Sequence, residues 1–291
     1  MYRRPANRKY LFLLLIFSWI SGIAICQETN FITFNIRYDN PGDKENNWHH
    51  RKQNVVELIL HYEASFIGTQ EGLNHQVEYI DSCLNDFTYI GVGRDDGKAE
   101  GEYCAVFFDS TRFKPIREGT FWLSETPEVV SVGWDASMER ICTFGLFEHR
   151  DNKQMLLIFN THFDHIGPLA RANSASLILQ KIDEINEYNL PVVLMGDFNA
   201  TPDDKPIQIL KNGMTDAMEI SEKPFYGPAG TFNGFTDDIM TRRIDYIFTD
   251  HLDVLSYIHI DDRRDNNLHV SDHLPVMISA GLKPVQDKNR K

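Results

Sequence analysis

The sequence predicts an α/β fold in which two mixed β-sheets pack together and helices cover their outer faces. Three observations carry that reading. Short β-rich runs recur from residue 31 to residue 280, with helical patterns between only some of them. The strands therefore cluster without the strict alternation of a parallel barrel or a dinucleotide-binding sheet. No Gly/Ser-rich linker divides the chain and no internal repeat stands out, so a single domain over residues 28–282 is expected.

The elements follow in order. Phe31 to Ile36 reads as a strand. After the charged loop DNPGDKENN, Val55, Leu58, Ile59 and Tyr62 recur at helical spacing and predict a helix over Asn54 to Tyr62. Ser65 to Gly68 is a short buried strand, and Asn74 to Leu84 a second helix. Tyr103 to Phe108, Phe113 to Leu123, Ile141 to Glu148 and Met155 to Asn160 read as four consecutive strands joined by polar or Gly-containing turns. Leu169 to Tyr188 is the longest helix, with Leu177, Ile178, Ile182 and Ile185 on one stripe. Pro191 introduces the strand VVLMGD. Ile244 to Phe248, Val254 to Ile260 and Val276 to Ala280 complete the strands, and residues 283–291 form a polar tail.

The N-terminus reads as a secretory signal peptide over residues 1–26. Arg3, Arg4, Arg8 and Lys9 precede an uncharged apolar run from Leu11 to Ile25, and Ala24 and Cys26 are the small residues of a cleavage site before Gln27. Fifteen residues are short for a hydrocarbon core of ~30 Å at ~1.5 Å per residue. A retained anchor is the alternative, and a lipidated Cys26 is disfavoured by the bulky Ile25 before it. The expected product is an exported monomer, periplasmic or extracellular, with no membrane span in the mature chain.

Composition narrows the function. At 42% hydrophobic and 24% charged, the 291 residues are globular in character, which excludes fibrous and disordered classes. The 29 Lys and Arg against 42 Asp and Glu give −13, and −17 once the four leader cations are subtracted. So acidic a chain has no global footprint for grasping nucleic acid, although a local patch stays possible. Cys83, Cys104 and Cys142 are sparse and odd in number, which is no disulfide framework, and no CxxC pattern suggests structural zinc. One disulfide among the three is left open.

Several polar residues share one placement, at the end of an apolar strand or in the loop beside it. Asn35 ends FITFN, Glu71 follows FIGTQ, and His162 and Asp164 follow LLIFNT. Asp197 and Asn199 follow VVLMG, and Asp272 and His273 precede LPVMISA. Any one alone reads as a turn former. Together they read as a site built on the tips of core strands. Asp245 lies within a strand-like run, where an unpaired carboxylate would be costly, so a histidine partner is expected.

In the order FNIRYDN, GTQE, FNTHFDH, GDFNATP, RRIDYIF and SDHLPV, the chain resembles the endonuclease/exonuclease/phosphatase superfamily over Phe31 to Met277. With FWLSETP in the middle, it is most similar to an exported bacterial branch. The resemblance implies a four-layer α/β sandwich and a divalent-metal-dependent phosphoesterase using Mg²⁺, with Mn²⁺ as a possible substitute. By position, it implies Glu71 and Asp272 as metal ligands with Asn35 supporting the same ion. Asp197 would align the attacking water and Asn199 would donate to the phosphate. His273, oriented by Asp245, would stabilise phosphoryl charge, and His162 would touch the phosphate or leaving group.

The chemistry wants these residue types. Mg²⁺ takes oxygen ligands and keeps several waters, so one or two carboxylates suffice. A carboxylate can align or deprotonate water, and an imidazolium can face developing negative charge. Three residues stay divided between roles. Asp164, with His165, either extends the metal site toward substrate or orders its loop. Arg140 either touches phosphate or is a surface cation, and Trp122 either lines the cleft or belongs to the core. A phosphate ester is the expected substrate. Nuclease and small-molecule or lipid-headgroup phosphodiesterase subdivisions both remain, and a noncatalytic binding protein is the rival class.

Overall fold

The computed structural model describes residues 28–282. The expected signal segment and the polar tail lie outside the described residues. In chain order the elements are β1 (Glu28–Asn35), α1 (Trp48–His61), β2 (Phe66–Gln70), β3 (Gly72–Leu73), α2 (Asn74–Cys83), β4 (Phe87–Ile90), β5 (Glu102–Tyr103) and β6 (Val106–Asp109). There follow β7 (Phe113–Trp122), β8 (Ile141–His149), β9 (Met155–His162), α3 (Pro168–Ile185), β10 (Val192–Asp197), α4 (Lys205–Leu210) and β11 (Thr215–Asp216). The last elements are α5 (Ala217–Ile220), β12 (Asp245–Asp250), β13 (Leu252–His259) and β14 (Val276–Leu282).

Two mixed sheets result, in the orders β13-β14-β1-β2-β6-β4 and β11-β12-β10-β9-β8-β7. Period-two alternation assigns every core strand a double duty. Phe31, Phe66, Ile158, Val193, Met195 and Ile247 meet between the sheets. Ile32, Phe34 and Ile67 instead pack against Val55 and Ile59 of α1 and Val77 and Ile80 of α2. On the other side Leu157, Phe159 and Leu194 pack against Ala175, Ile178 and Ile182 of α3 and Ile207 of α4. The layers therefore run helix, sheet, sheet, helix. Each such large apolar side chain contributes roughly 1.5–3 kcal/mol by leaving water.

Several boundaries differ from the sequence reading. α1 begins at Trp48 rather than Asn54, because the Asn47 side chain caps it by accepting from His49 N at 3.0 Å. The polar stretch HHRKQN looks like loop, yet Arg51 within it is fully buried and donates to the carbonyls of Ile36 and Val270. α3 stops at Ile185, and its buried face is Ala170, Ser174, Ala175, Ile178 and Ile182. β4 escaped notice because it is a short, half-exposed strand at a sheet edge. Cys83, Cys104 and Cys142 are free thiols. Among the described residues no helix is long and apolar enough to cross a membrane.

Candidate active site

Strand register builds the site. β10 pairs with β9 in parallel and with β12 antiparallel, so Asp197 has His162 on one side and Asp245 on the other as direct cross-strand partners. Asp197 shares its parity with Val193 and Met195 and therefore faces the space between the sheets. In the opposite sheet β1 and β2 run parallel with Asn35 beside Gln70, which brings Asn35 and the next residue, Glu71, to the same end. Asp272 and His273 arrive just before β14, and His273 bridges the backbone of Phe232.

Beneath them lies a polar floor. Gln70 donates to Asn160 Oδ1 at 2.6 Å and to Thr33 Oγ1 at 3.0 Å, and Asn160 donates to the carbonyls of Thr69 and Ala105. Gly68 makes room for this layer: a Cβ there would lie 2.8 Å from the Asn160 side chain and 3.0 Å from Met195.

The side chains form one connected network. Asn35 Nδ2 donates to Glu71 Oε1 and to Asp197 Oδ2, both at 3.0 Å. Asn199 N donates to Asp197 Oδ1 at 2.9 Å. His273 Nδ1 lies 2.9 Å from Asp245 Oδ2, and His273 Nε2 lies 3.7 Å from Asp197 Oδ2. The Asn199 amide lies 3.1 Å from His162 Nε2 and also donates to the Phe163 carbonyl. Asn199 holds a left-handed backbone, φ 46°, which turns its amide back toward the site. Glu71 does likewise at φ 65°, and its second oxygen accepts from Tyr38 N at 3.1 Å.

Burial sets the protonation states. Burial and the nearby Asp245 charge push the Asp197 carboxyl up to about 7. Burial and Glu71 raise Asp272, against the pull of His273. Burial opposes charge on His273, yet Asp245 and Asp197 outweigh it and raise its pKa well above the usual histidine value. Burial, with the cations of Arg140 and Arg94, holds His162 well below that value, so it is neutral. One end of the site thus carries an imidazolium and the other a neutral imidazole.

Not every expected residue reaches the cleft as a free group. Asparagine 35 turns its nitrogen to the carboxylates, while its oxygen accepts from Arg37 N at 3.0 Å, so Asn35 ties Glu71 to Asp197 rather than offering an oxygen ligand. Asp164 is buried and accepts from the backbone of Ser137, Ile166 and Gly167, which places it as an ordering group of its loop. Burial works against its charge, but those donors hold it at about 2. Arg140 is buried, not a surface cation, and reaches Asp164 at 3.5 Å and His165 Nδ1 at 3.0 Å. Trp122 is buried and donates to the Arg94 carbonyl, a core placement.

Sequence reading missed Glu102. Its carboxylate is gripped by both terminal nitrogens of Arg94 at 2.7 and 3.0 Å and lies 3.9 Å from His162 Nδ1. Burial and Glu71 push it up to about 7. Glu102 directly precedes the strand predicted over Tyr103 to Phe108, as Asp272 and His273 precede theirs, so the same placement was the signal that could have found it.

The donor set suits a hard divalent cation. Asp197, Asp245 and His273 offer ligand atoms within 4.8 Å of one another. Both Asp245 oxygens lie against His273 Nδ1, so the ion would fall to Asp272 and to the second lone pairs of Glu71, whose oxygens each already accept one hydrogen bond, from Asn35 Nδ2 and Tyr38 N. Four carboxyl groups (Glu71, Asp197, Asp245, Asp272) gather around the cations of Arg37 and His273, with buried Arg51 acting on Asp272, and a divalent ion would favour their charged forms.

A strand-tip network of carboxylates, amides and histidines between two sheets has the means to hold a cation and activate a water. The Endonuclease/Exonuclease/phosphatase family matches residues 32–273, and the chain belongs to it. A member of that family from Bacteroides thetaiotaomicron has a solved structure that is 33% identical, with a TM-score of 0.86 over 91% of this chain and 99% of its own. A mannosyl-6-phosphatase from Bacteroides thetaiotaomicron is 35% identical, with a TM-score of 0.83 over 87% of this chain and 99% of its own. An uncharacterised protein of Acanthamoeba polyphaga mimivirus is 27% identical over 79% of this chain and 91% of that protein.

Proposed function

We propose that this protein is an exported, divalent-metal-dependent phosphoesterase acting on a small phosphorylated sugar. The observation that carries the reading is the connected chain Glu71–Asn35–Asp197–His273–Asp245, which spans both sheets at one end. Glu71 and Asp272 would hold Mg²⁺ or Mn²⁺, with Asn35 fixing the Glu71 carboxylate. Such an ion would neutralise charge on the phosphoryl oxygens and the leaving group.

This chain's own residues do the rest. Asp197 aligns a water and accepts its proton, as a carboxyl pushed up to about 7 suits a base working near neutral pH. His273, charged and held by Asp245, faces the negative charge that develops on the phosphoryl group. Asn199 and neutral His162 hold each other beside Asp197, Asn199 Nδ2 donating to His162 Nε2 and to the Phe163 carbonyl, and would turn toward phosphate or leaving-group oxygens when substrate enters.

The substrate class draws support from the mannosyl-6-phosphatase likeness over nearly the whole domain. The acidic balance of −13 and the burial of Arg140 beside Asp164 argue against a long nucleic-acid groove. Export rests on the leader-like first 26 residues, and N-terminal sequencing of the secreted product would test it.

The decisive experiment is a substrate panel with purified protein and Mg²⁺ or Mn²⁺: mannose 6-phosphate, methyl mannoside 6-phosphate, bis-nitrophenyl phosphate, DNA and RNA. Phosphate release from the sugar esters supports the proposal. Cleavage of polynucleotide alone moves the protein to the nuclease subdivision. Inertness toward all of them leaves a binding protein on this fold.

A further inference from the structure

The FNIRYDN motif contains a cation that the proposed chemistry does not use. Arg37 sits two residues beyond Asn35 in a left-handed conformation, φ 59°, which a non-glycine residue keeps only when its surroundings dictate it. Its N–H donates to Asn35 Oδ1 at 3.0 Å, and its carbonyl accepts from buried Arg51 at 3.2 Å and from Gln76 at 3.0 Å. Its side chain is clamped in turn. Asp43 takes Nε at 3.0 Å and Nη2 at 3.3 Å, and Asn40 steadies that carboxylate at 2.9 Å.

The clamp aims the remaining nitrogen. Arg37 Nη1 lies 3.7 Å from Glu71 Oε2 and also 3.7 Å from Asp272 Oδ2. A charge-assisted hydrogen bond closes to about 2.7–2.9 Å, so neither contact is a saturating one. The guanidinium gives these carboxylates a fixed positive charge yet leaves their lone pairs available. Arg37 thus staples the loop through Asp43 and, with its third nitrogen, stands off from two carboxylates at once.

We infer that Arg37 is a built-in second cation of the Glu71–Asp272 site, which holds the two carboxylates together and lowers their affinity for the divalent ion. The inference rests on the reading of Glu71 and Asp272 as cation ligands. A fixed unit charge so close to a divalent ion repels it even when partly screened. The consequence is an ion that exchanges readily and a site that stays assembled between ions.

Mn²⁺ binding by calorimetry, without substrate, tests this directly, with melting in chelator beside it. Arg37→Met should bind Mn²⁺ at least ~10-fold more tightly at low salt, with the gap narrowing as salt rises. Its metal-free form should melt below the wild type, so that Mn²⁺ raises its melting temperature more. Arg37→Lys keeps the charge without the fork and should bind Mn²⁺ nearly as the wild type does. Arg37→Gln, which retains a planar donor for Asp43, repeats the test should Arg37→Met not fold. An uncharged variant that folds and binds Mn²⁺ with unchanged or weaker affinity overturns the inference and leaves the metal site standing. Should Glu71→Gln bind Mn²⁺ just as the wild type does, the cation-site reading itself fails and the inference falls with it.

Discussion

Replacing Asp197 with Asn separates catalysis from stability at one buried position. Asp197 is 1% exposed, and burial with the Asp245 charge lifts its carboxyl from 3.8 to about 7. Between those values the folded state holds more protons than the unfolded chain, so stability falls as pH rises through that window. The ionised carboxylate therefore costs on the order of a few kcal/mol above pH 7. Asp197→Asn relieves that cost. It also turns an amide N–H toward either Asn35 Nδ2 or Asn199 N, forfeiting one buried hydrogen bond at about 1–3 kcal/mol. The net effect is a gain of about 1–3 kcal/mol at pH 8 in chelator, and each kcal/mol shifts melting by about 2–4 °C in a domain of this size. Turnover should fall by at least ~10²-fold, the size of a lost general base. Calorimetric melting at pH 5 and pH 8, with steady-state phosphate release, reads both effects. A variant that melts well below the wild type at pH 8, or turns over within tenfold of it, refutes the reasoning.

Three further outcomes follow from the same geometry. Asp245→Asn should lower the His273 pKa, followed by its ring proton resonance, because the partner charge that outweighs burial is gone. In the wild type the raised folded pKa makes the His273 contribution to stability complete below about 6.5 and progressively lost as pH climbs through the folded value. Arg243→Met leaves Asp216 buried without its cation and should cost about 3–5 kcal/mol in urea unfolding, and a small cost there would mean the pair is hydrated. Gly68→Ala should destabilise by about 1–3 kcal/mol, since its Cβ meets Asn160 at 2.8 Å, and neutrality in the same assay would show that the polar floor can shift.

The layered fold was legible because period-two strands and period-3.6 helices announce which face they bury. Ile32 beside Phe31 and Leu194 beside Val193 already imply strands covered on both sides. Asn35, Glu71, His162, Asp197 and His273 were legible for a related reason: each stands at or beside the tip of an apolar run, where a polar group has no packing role. What the linear text could not carry was partnership. Arg51 lies in a stretch that reads as loop, and only packing shows it buried beneath Ile36 and Val270. Asp164 and His165 look alike as site candidates, yet backbone donors consume the first and leave the second exposed beside Arg140. Glu102 and Arg37 acquire meaning only from neighbours dozens to hundreds of residues away, His162 for one and Glu71 with Asp272 for the other. Local patterning determines which face of an element seeks the core, because that depends on neighbours along the chain. Hydrogen-bond partners, burial and the resulting charge states depend on strand register and sheet order, and those exist only once the chain has folded.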